Sequence, residues 1–192
     1  MSISYTELYS KVEKNLKRTR FEHSENVALT AAMLAERFSL DKDAALIAGI
    51  YHDAYRYEDG LEWLDKIKEH GWEIFDEELE HPMLLHGAIA AINFEKDAGA
   101  VPESFKLAVR HHTLGSVDMG PLGALIYIAD YIEPGRKHLG QRERDIILAE
   151  PSLESMIVKI MDMQRPYFEK EGIEEADTSK RLYEFLKSGG KL

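Results

Sequence analysis

The sequence predicts an all-α fold, and three observations support this prediction. Apolar residues recur at the three- and four-residue intervals of a helix over most of the 192 residues. The alternation at period two that a half-buried strand requires is lacking, and β-branched residues are scattered. Prolines stand mostly at the ends of the periodic segments, where helices begin or stop.

Six segments carry apolar residues at helical spacing, and most of them have a residue that can begin or end a helix. In chain order they cover 23–38, 44–48, 61–67, 85–92, 105–112 and 125–129. Asp41 can cap the second segment, and Gly71 can stop the third. Because proline suits the first turn of a helix, the last three helices are expected to begin at Pro82, Pro102 and Pro121.

The C-terminal part of the chain predicts two more helices, one after Pro151 and one near Thr178. The helix before them should end at Pro134. Pro166 lacks a backbone N–H, so it should kink or divide the helix in which it lies. No repeat, low-complexity tract or linker interrupts the sequence, and the simplest architecture is therefore one domain over residues 1–192.

The composition limits the kinds of site and partner. Cysteine is absent, so a metal would have to be held by the nitrogen and oxygen atoms of His, Asp and Glu. No apolar run reaches membrane-spanning length, and the N-terminus lacks the apolar segment of a signal peptide, which predicts a cytoplasmic protein. A net charge of −11 disfavours nucleic acid and anionic membranes, and a phosphorylated small molecule would need metals or a few placed arginines.

Four histidines and two aspartates stand in or beside apolar helix faces rather than in charged runs. They are His23, His52, Asp53, His86, His112 and Asp130. One such histidine is more often an ordinary core residue, but buried carboxylates are rare unless they are paired or metal-bound. Six residues of these types together suit a divalent transition metal that is held without thiolates.

Helical facing separates the adjacent residues His111 and His112. Three apolar residues share the face of His112, so this side chain should point inward, whereas His111 lies on the flank and is the weaker ligand candidate. His52 and Asp53 diverge by about 100° on a helix. They can serve one cluster only near a helix end, or if Asp53 bridges two metals.

Five stretches of the sequence, taken in order, carry these residues. They are RFEHS at 20–24, AGIYHD at 48–53, LLHGAIAA at 84–91, RHHTLG at 110–115 and YIADYIEPGR at 127–136. Together they resemble the HD-domain metallohydrolases, and most closely the YqeK-like branch. The resemblance implies a single HD-domain helical bundle with a buried metal cluster, and the symmetrical hydrolysis of diadenosine tetraphosphate to two ADP.

The resemblance also implies two divalent metal ions, which in this branch are iron. The same nitrogen and oxygen donors suit manganese, cobalt, nickel or zinc. The implied ligands of the first metal are His23, His52, Asp53 and Asp130, and those of the second are His86 and His112, with Asp53 bridging. The sequence departs from the family where Arg56 stands in place of a lysine that commonly follows the HD pair.

Five residues beside these motifs are the candidates for binding substrate: Arg20, Arg56, Thr113, Gly115 and Arg136. Arg20 and Arg136 could hold phosphate oxygens bidentately, although a surface position or a helix-end salt bridge explains them equally well. Thr113 and Gly115 could shape the loop after His112, or simply end a helix. Asp53, Arg56 and Arg136 are the expected catalytic residues.

The expected mechanism is in-line attack on phosphorus by a metal-activated hydroxide, with arginine stabilising the charge that develops. Other interpretations remain open: a nucleotidase or phosphodiesterase on the same fold, a di-iron oxygenase, or a nucleotide sensor without catalysis. A small nucleotide is the expected partner, and a homodimer remains open. The acidic run DEELE at 76–80 is expected to be a solvated face, and His70, His81 and His138 are expected at the surface.

Overall fold

The computed structural model describes residues 4–192, so residues 1–3 of the expected domain lie outside it. Within this range the chain forms eleven α-helices and no strand, which confirms the all-α prediction. The helices are α1 (Tyr5–Asn15), α2 (Arg18–Arg37), α3 (Lys42–Tyr51), α4 (Leu64–Glu69), α5 (Asp76–Glu80), α6 (His86–Ala98), α7 (Glu103–Arg110), α8 (Gly120–Ile132), α9 (Gln141–Leu148), α10 (Leu153–Glu171) and α11 (Asp177–Lys187).

The helices pack around α8, which is the most apolar of them and contacts α2, α3, α7 and α10. The longest interface joins α2 to α3. These two helices approach closely at Gly49, where a Cβ atom would lie 2.6 Å from the Cα of Ala28. Glycine is required there because any larger residue would push apart the two helices that carry the first predicted histidines.

The main apolar cluster collects buried residues from both ends of the chain, from Leu8 on α1 to Leu186 on α11. A smaller cluster lies around Ile67 and Ile89, beneath the segment between α3 and α6. No helix among the described residues combines the length and the apolar character needed to cross a membrane.

Several helix boundaries differ from those expected. α2 begins at Arg18, so His23 lies in its second turn and does not open it. Pro82 begins a 3₁₀ turn, and α6 starts only at His86. α10 continues through Pro166 as one undivided helix. Proline removes only one backbone donor, and the buried residues that anchor α10, from Leu153 to Met161, all lie before it.

Three helices have no counterpart among the predicted segments. α1 buries only Leu8 and Val12, α5 buries only Glu78, and α9 buries only Ile147. Such short segments are marginal as isolated helices, and packing against the rest of the molecule is what stabilises them. Apolar spacing within the segment therefore gave too weak a pattern to predict them.

Candidate metal centre

The six side chains predicted as metal ligands converge at one place in the fold. His23 projects from α2, His86 from the start of α6 and Asp130 from α8. His52 and Asp53 immediately follow α3, and His112 follows the end of α7. His52 is the C-cap of α3 and Asp53 lies beyond it, so the pair stands at a helix end, one of the two arrangements in which both could serve one cluster.

Asp53 lies between two pairs of histidines, and its two carboxylate oxygens face different pairs. Oδ1 is 2.9 Å from His86 Nε2 and 3.9 Å from His112 Nε2. Oδ2 is 3.3 Å from His52 Nε2 and 3.7 Å from His23 Nε2. A carboxylate with this placement can contact two cations at once, one through each oxygen.

Asp130 completes the side of the cluster nearest His23. Its Oδ1 lies 2.9 Å from His23 Nε2 and 4.0 Å from His52 Nε2. Two sets of three residues place their ligand atoms within 4.8 Å of one another, and these sets are His23–His52–Asp130 and His52–Asp53–His112. The described residues therefore provide overlapping groups of nitrogen and oxygen donors that could bind metal.

The four histidines share one orientation, in which Nδ1 faces an oxygen acceptor. The pairs are His23 with Glu133 Oε1 at 3.0 Å, His52 with Gly49 O at 2.7 Å, His86 with Met83 O at 2.6 Å, and His112 with Val109 O at 2.7 Å. Each Nδ1–H donates to its oxygen, so each Nε2 keeps a lone pair. This is the tautomer that metal-ligating histidines adopt in proteins.

The free Nε2 atoms make the cluster fit a cation. Those of His23 and His52 are buried and have no hydrogen-bond partner among residues 4–192. Those of His86 and His112 lie 3.0 Å apart, and Arg56 Nη1 lies 3.4 Å from the Nε2 of His86. Buried acceptors without donors are costly, and a bound divalent metal would satisfy them.

The electrostatics of the site favour the protonation states that ligands need at Asp53, Asp130 and His112, whereas at His52 the neighbouring Asp53 outweighs burial and raises the pKa. Burial alone would raise the pKa of the Asp53 carboxyl, but the neighbouring His52 and His86 outweigh it and hold this pKa well below its usual range. Burial is likewise outweighed at Asp130, where His23 and Arg136 lower the pKa. Burial, with His86 nearby, holds the pKa of His112 well below normal, so this imidazole stays neutral.

The three arginines singled out from the sequence all lie at this cluster. Arg20 Nε is 3.1 Å from Asp53 Oδ2. Arg136 forms an ion pair with the Asp130 carboxylate, and its Nε donates to Asp130 O at 2.7 Å. Arg56 Nη1 lies 3.1 Å from His86 Nδ1, where the guanidinium packs against the imidazole because Nδ1–H is directed at Met83 O.

A cavity of about 550 Å³ opens beside His112 and Asp130. Its wall includes Thr113 and Arg136, and aromatic side chains supply much of the remainder: Tyr127, Tyr131, Tyr167 and Phe168. A second cavity, of about 690 Å³, shares Thr113 with the first and has an acidic rim. The rim carboxylates are Asp76, Glu77, Glu80, Glu174, Glu175 and Asp177.

Gly115 and His111 lie outside the cluster. Gly115 is buried with φ +74°, and a Cβ there would lie 2.5 Å from a methyl group of Leu182, so it shapes the turn after His112. His111 lines a separate cavity of about 280 Å³ on the side of Phe75. Burial lowers the pKa of His111 to about 4.

Glu133, which orients His23, was missed in the sequence. Only 1% of this residue is exposed, and it stands three positions after Asp130, a spacing that brings two side chains to one side of a helix.

The expectation that the run DEELE at 76–80 is a solvated face was wrong at its central position, Glu78. Glu78 is fully buried and forms an ion pair with Arg110. The expectation of surface positions is confirmed for three histidines, His70, His81 and His138, which are all exposed.

Comparisons with known proteins agree with this geometry. The HD domain family model matches residues 20–135, which contain all six predicted ligands. A Staphylococcus aureus protein named symmetrical bis(5'-nucleosyl)-tetraphosphatase is 33% identical, over 77% of this chain and 76% of its own length. A Bacillus subtilis protein of the same name is 32% identical, over 82% of this chain and 88% of its own.

A solved structure extends the likeness to nearly the whole fold. It is the crystal structure of a predicted HD superfamily hydrolase involved in NAD metabolism, from Clostridium acetobutylicum. It superposes with a TM-score of 0.85 at 30% identity, and the match covers 97% of this chain and 98% of that one. The chain belongs to the HD domain family, together with the proteins named symmetrical bis(5'-nucleosyl)-tetraphosphatase.

Proposed function

We propose that this protein hydrolyses diadenosine tetraphosphate symmetrically to two ADP, with two divalent metal ions bound at the cluster. The observation that carries the proposal is the convergence of four Nε2 lone pairs and two carboxylates beside a cavity bearing a cationic side chain, Arg136. The activity named for the relatives supports the choice of substrate.

The proposed ligands of one metal are His23, His52, Asp53 and Asp130, and those of the other are His86 and His112, with Asp53 shared. The opposite facing of the two Asp53 oxygens supports this sharing. When bound, such metals lower the pKa of water and act as Lewis acids toward a phosphoryl oxygen. Iron is the metal we propose, because the all-nitrogen-and-oxygen donor set suits it and the family resemblance favours it.

The arginines are proposed to hold the polyphosphate. The protein carries a net charge of −11, so local cations must supply the attraction for an anionic substrate. Arg20 and Arg136 already lie on the two carboxylates of the cluster, Asp53 and Asp130. From there a planar guanidinium can contact two phosphate oxygens and stabilise charge in the transition state. We propose the same general role for Arg56, nearest His86.

The two cavities differ in charge, which limits where the substrate can lie. Phosphates are repelled by the acidic rim of the larger cavity and attracted to Arg136 in the smaller one. Tyr131, Tyr167 and Phe168 offer flat apolar surfaces for one adenine in the smaller cavity. We propose that burial of that adenosine sets which phosphorus lies beside the cluster, with Thr113 lining both cavities.

The test is hydrolysis in oxygen-18 water with mass analysis of the initial products. Two ADP molecules, with label in one of each pair, support the proposal, whereas AMP and ATP as initial products would refute the symmetrical cut. Brisk turnover of mononucleotides without turnover of diadenosine tetraphosphate would favour a nucleotidase. His70→Ala is the matched control, because His70 is an exposed histidine outside the cluster and should leave the rate unchanged.

We also propose that residues 1–192 form one domain. The support is that buried residues of α1 and α11 belong to the same apolar cluster as those of α2, α3 and α8.

A further inference from the structure

Arg144 lies on α9, and its guanidinium donates four hydrogen bonds to backbone carbonyls. The acceptors are Ile132 O at 2.9 Å, Leu139 O at 2.7 Å, Glu133 O at 3.1 Å and Arg136 O at 2.7 Å. All four carbonyls belong to the end of α8 or to the loop 133–140 that joins it to α9. One side chain therefore ties this loop and the end of α8 together at four points.

The same loop carries two side chains of the metal centre. The Oε1 of Glu133 accepts the N–H of His23 Nδ1, and its Oε2 accepts from the backbone N–H of Gly135. Arg136 donates to the backbone oxygen of Asp130 at 2.7 Å and pairs with the carboxylate of the same residue. The path of the loop backbone thus decides where both side chains reach the cluster.

We propose that Arg144 is a positioning residue for this site. By fixing the loop, it keeps Glu133 on His23 and Arg136 at Asp130, although it lines neither cavity beside the cluster. The inference deepens the proposed function and rests on it for its effect on turnover. Its effects on the loop and on metal binding require no particular substrate.

The chemistry of the guanidinium explains why arginine stands at this position. The last carbonyls of α8 have no partners within the helix, and a cation near a helix C-terminus is favourable. A lysine would keep that charge, but its ammonium is a compact point with three donors and cannot span four carbonyls in a fixed plane. Arg144→Lys therefore separates the geometric role from the charge.

The experiment compares Arg144→Ala and Arg144→Lys with Arg142→Ala, a matched control at an exposed arginine on the same helix. Hydrogen exchange in loop 133–140 should be at least tenfold faster in both Arg144 variants than in the wild type. In the control variant it should be unchanged. Metal affinity should fall about 10- to 100-fold, as it does when residues that orient ligands are lost. A loss in kcat should accompany it.

A double-mutant cycle with Arg136→Ala tests the route of action. If Arg144 acts through Arg136, the fall in kcat/KM caused by Arg144→Ala should be smaller in the Arg136→Ala background than in the wild type. Fully additive effects, or an Arg144→Lys variant with wild-type exchange and metal affinity, would overturn the inference. If Arg144→Ala does not fold, the hydrogen exchange and metal affinity of Arg144→Lys alone test the inference.

The readouts also separate this inference from the proposed function. Exchange and metal affinity that change as expected, in a protein that hydrolyses a different nucleotide, would support the role of Arg144 and refute only the proposed substrate. Unchanged exchange and metal affinity in a protein that does cleave diadenosine tetraphosphate would refute the role of Arg144 alone.

Discussion

Asp53 Oδ1 and His86 Nε2 lie 2.9 Å apart, although the two residues belong to different segments of the chain. The other oxygen of Asp53 faces His52 and His23. In the described cluster, no other carboxylate places its two oxygens near two different pairs of histidines. Asp53 is therefore the residue whose loss should affect the whole centre.

Replacing Asp53 by Ala should abolish hydrolysis and weaken metal binding at both positions, because both sets of histidines lose a shared anionic partner. We expect an activity loss greater than about 100-fold, the upper end of the range for residues that merely support a ligand. Elemental analysis of protein purified without chelator measures the metal content. A variant that retains two metals and normal turnover would contradict the assignment of the bridge.

Replacing His112 by Ala should abolish activity, whereas His111→Ala should change it only a few-fold. His112 is 3% exposed, and its Nε2 lies in the cluster, while His111 lines a cavity on the opposite side. Steady-state kinetics and metal content of the two variants provide the comparison, with each serving as the control for the other. Equal losses of activity would show that the direction in which these two side chains point does not determine which histidine binds metal.

Replacing Glu133 by Ala should lower metal affinity about 10- to 100-fold, because His23 loses the acceptor that fixes its tautomer and ring orientation. Glu133→Gln should have a smaller effect, since its amide oxygen can still accept from His23 Nδ1. Competition with a chromophoric chelator measures both affinities. Wild-type affinity in Glu133→Ala would mean that His23 needs no support.

Replacing Gly87 by Ala should move α6 away from the end of α7. A Cβ at Gly87 would lie 2.8 Å from Val109 O and 3.2 Å from His112 Nδ1, so His86 could not keep its distance to His112. Overpacking of this kind destabilises by roughly 1–3 kcal/mol. Metal affinity should fall as well, and the same chelator titration measures it.

The control for this substitution is Gly123→Ala, where a Cβ would crowd the Met119 side chain at 2.6 Å without contacting a proposed ligand. It should lower stability but preserve metal affinity. Loss of metal affinity in both variants would attribute the effect of Gly87→Ala to general destabilisation.

Replacing Arg110 by Ala should lower the free energy of unfolding by about 3–5 kcal/mol, because Glu78 would be left buried and unpaired. Urea denaturation measures the change. Arg18→Ala, which breaks a pair at the exposed surface, should leave the midpoint unchanged. The double variant Arg110→Met with Glu78→Leu should recover most of the loss, and failure to recover would point to another role for the pair.

The sequence by itself determined the fold class and the types of the candidate ligands. Apolar spacing reports burial within one element, and it correctly directed His112 inward and His111 away. The absence of cysteine left only nitrogen and oxygen donors. The helices that escaped prediction, α1, α5 and α9, bury so few residues that their local pattern is weak.

Only the tertiary structure decided which side chains meet across elements. Glu78 belongs to an acidic run that looks solvated, yet Arg110, which is distant in sequence, makes its burial favourable. Glu133 and Arg144 acquire their roles in the same way, through partners on other segments or through the path of a loop. Local periodicity records the environment of a helix face, whereas a pairing between segments depends on how the helices pack, and no spacing within one segment encodes it.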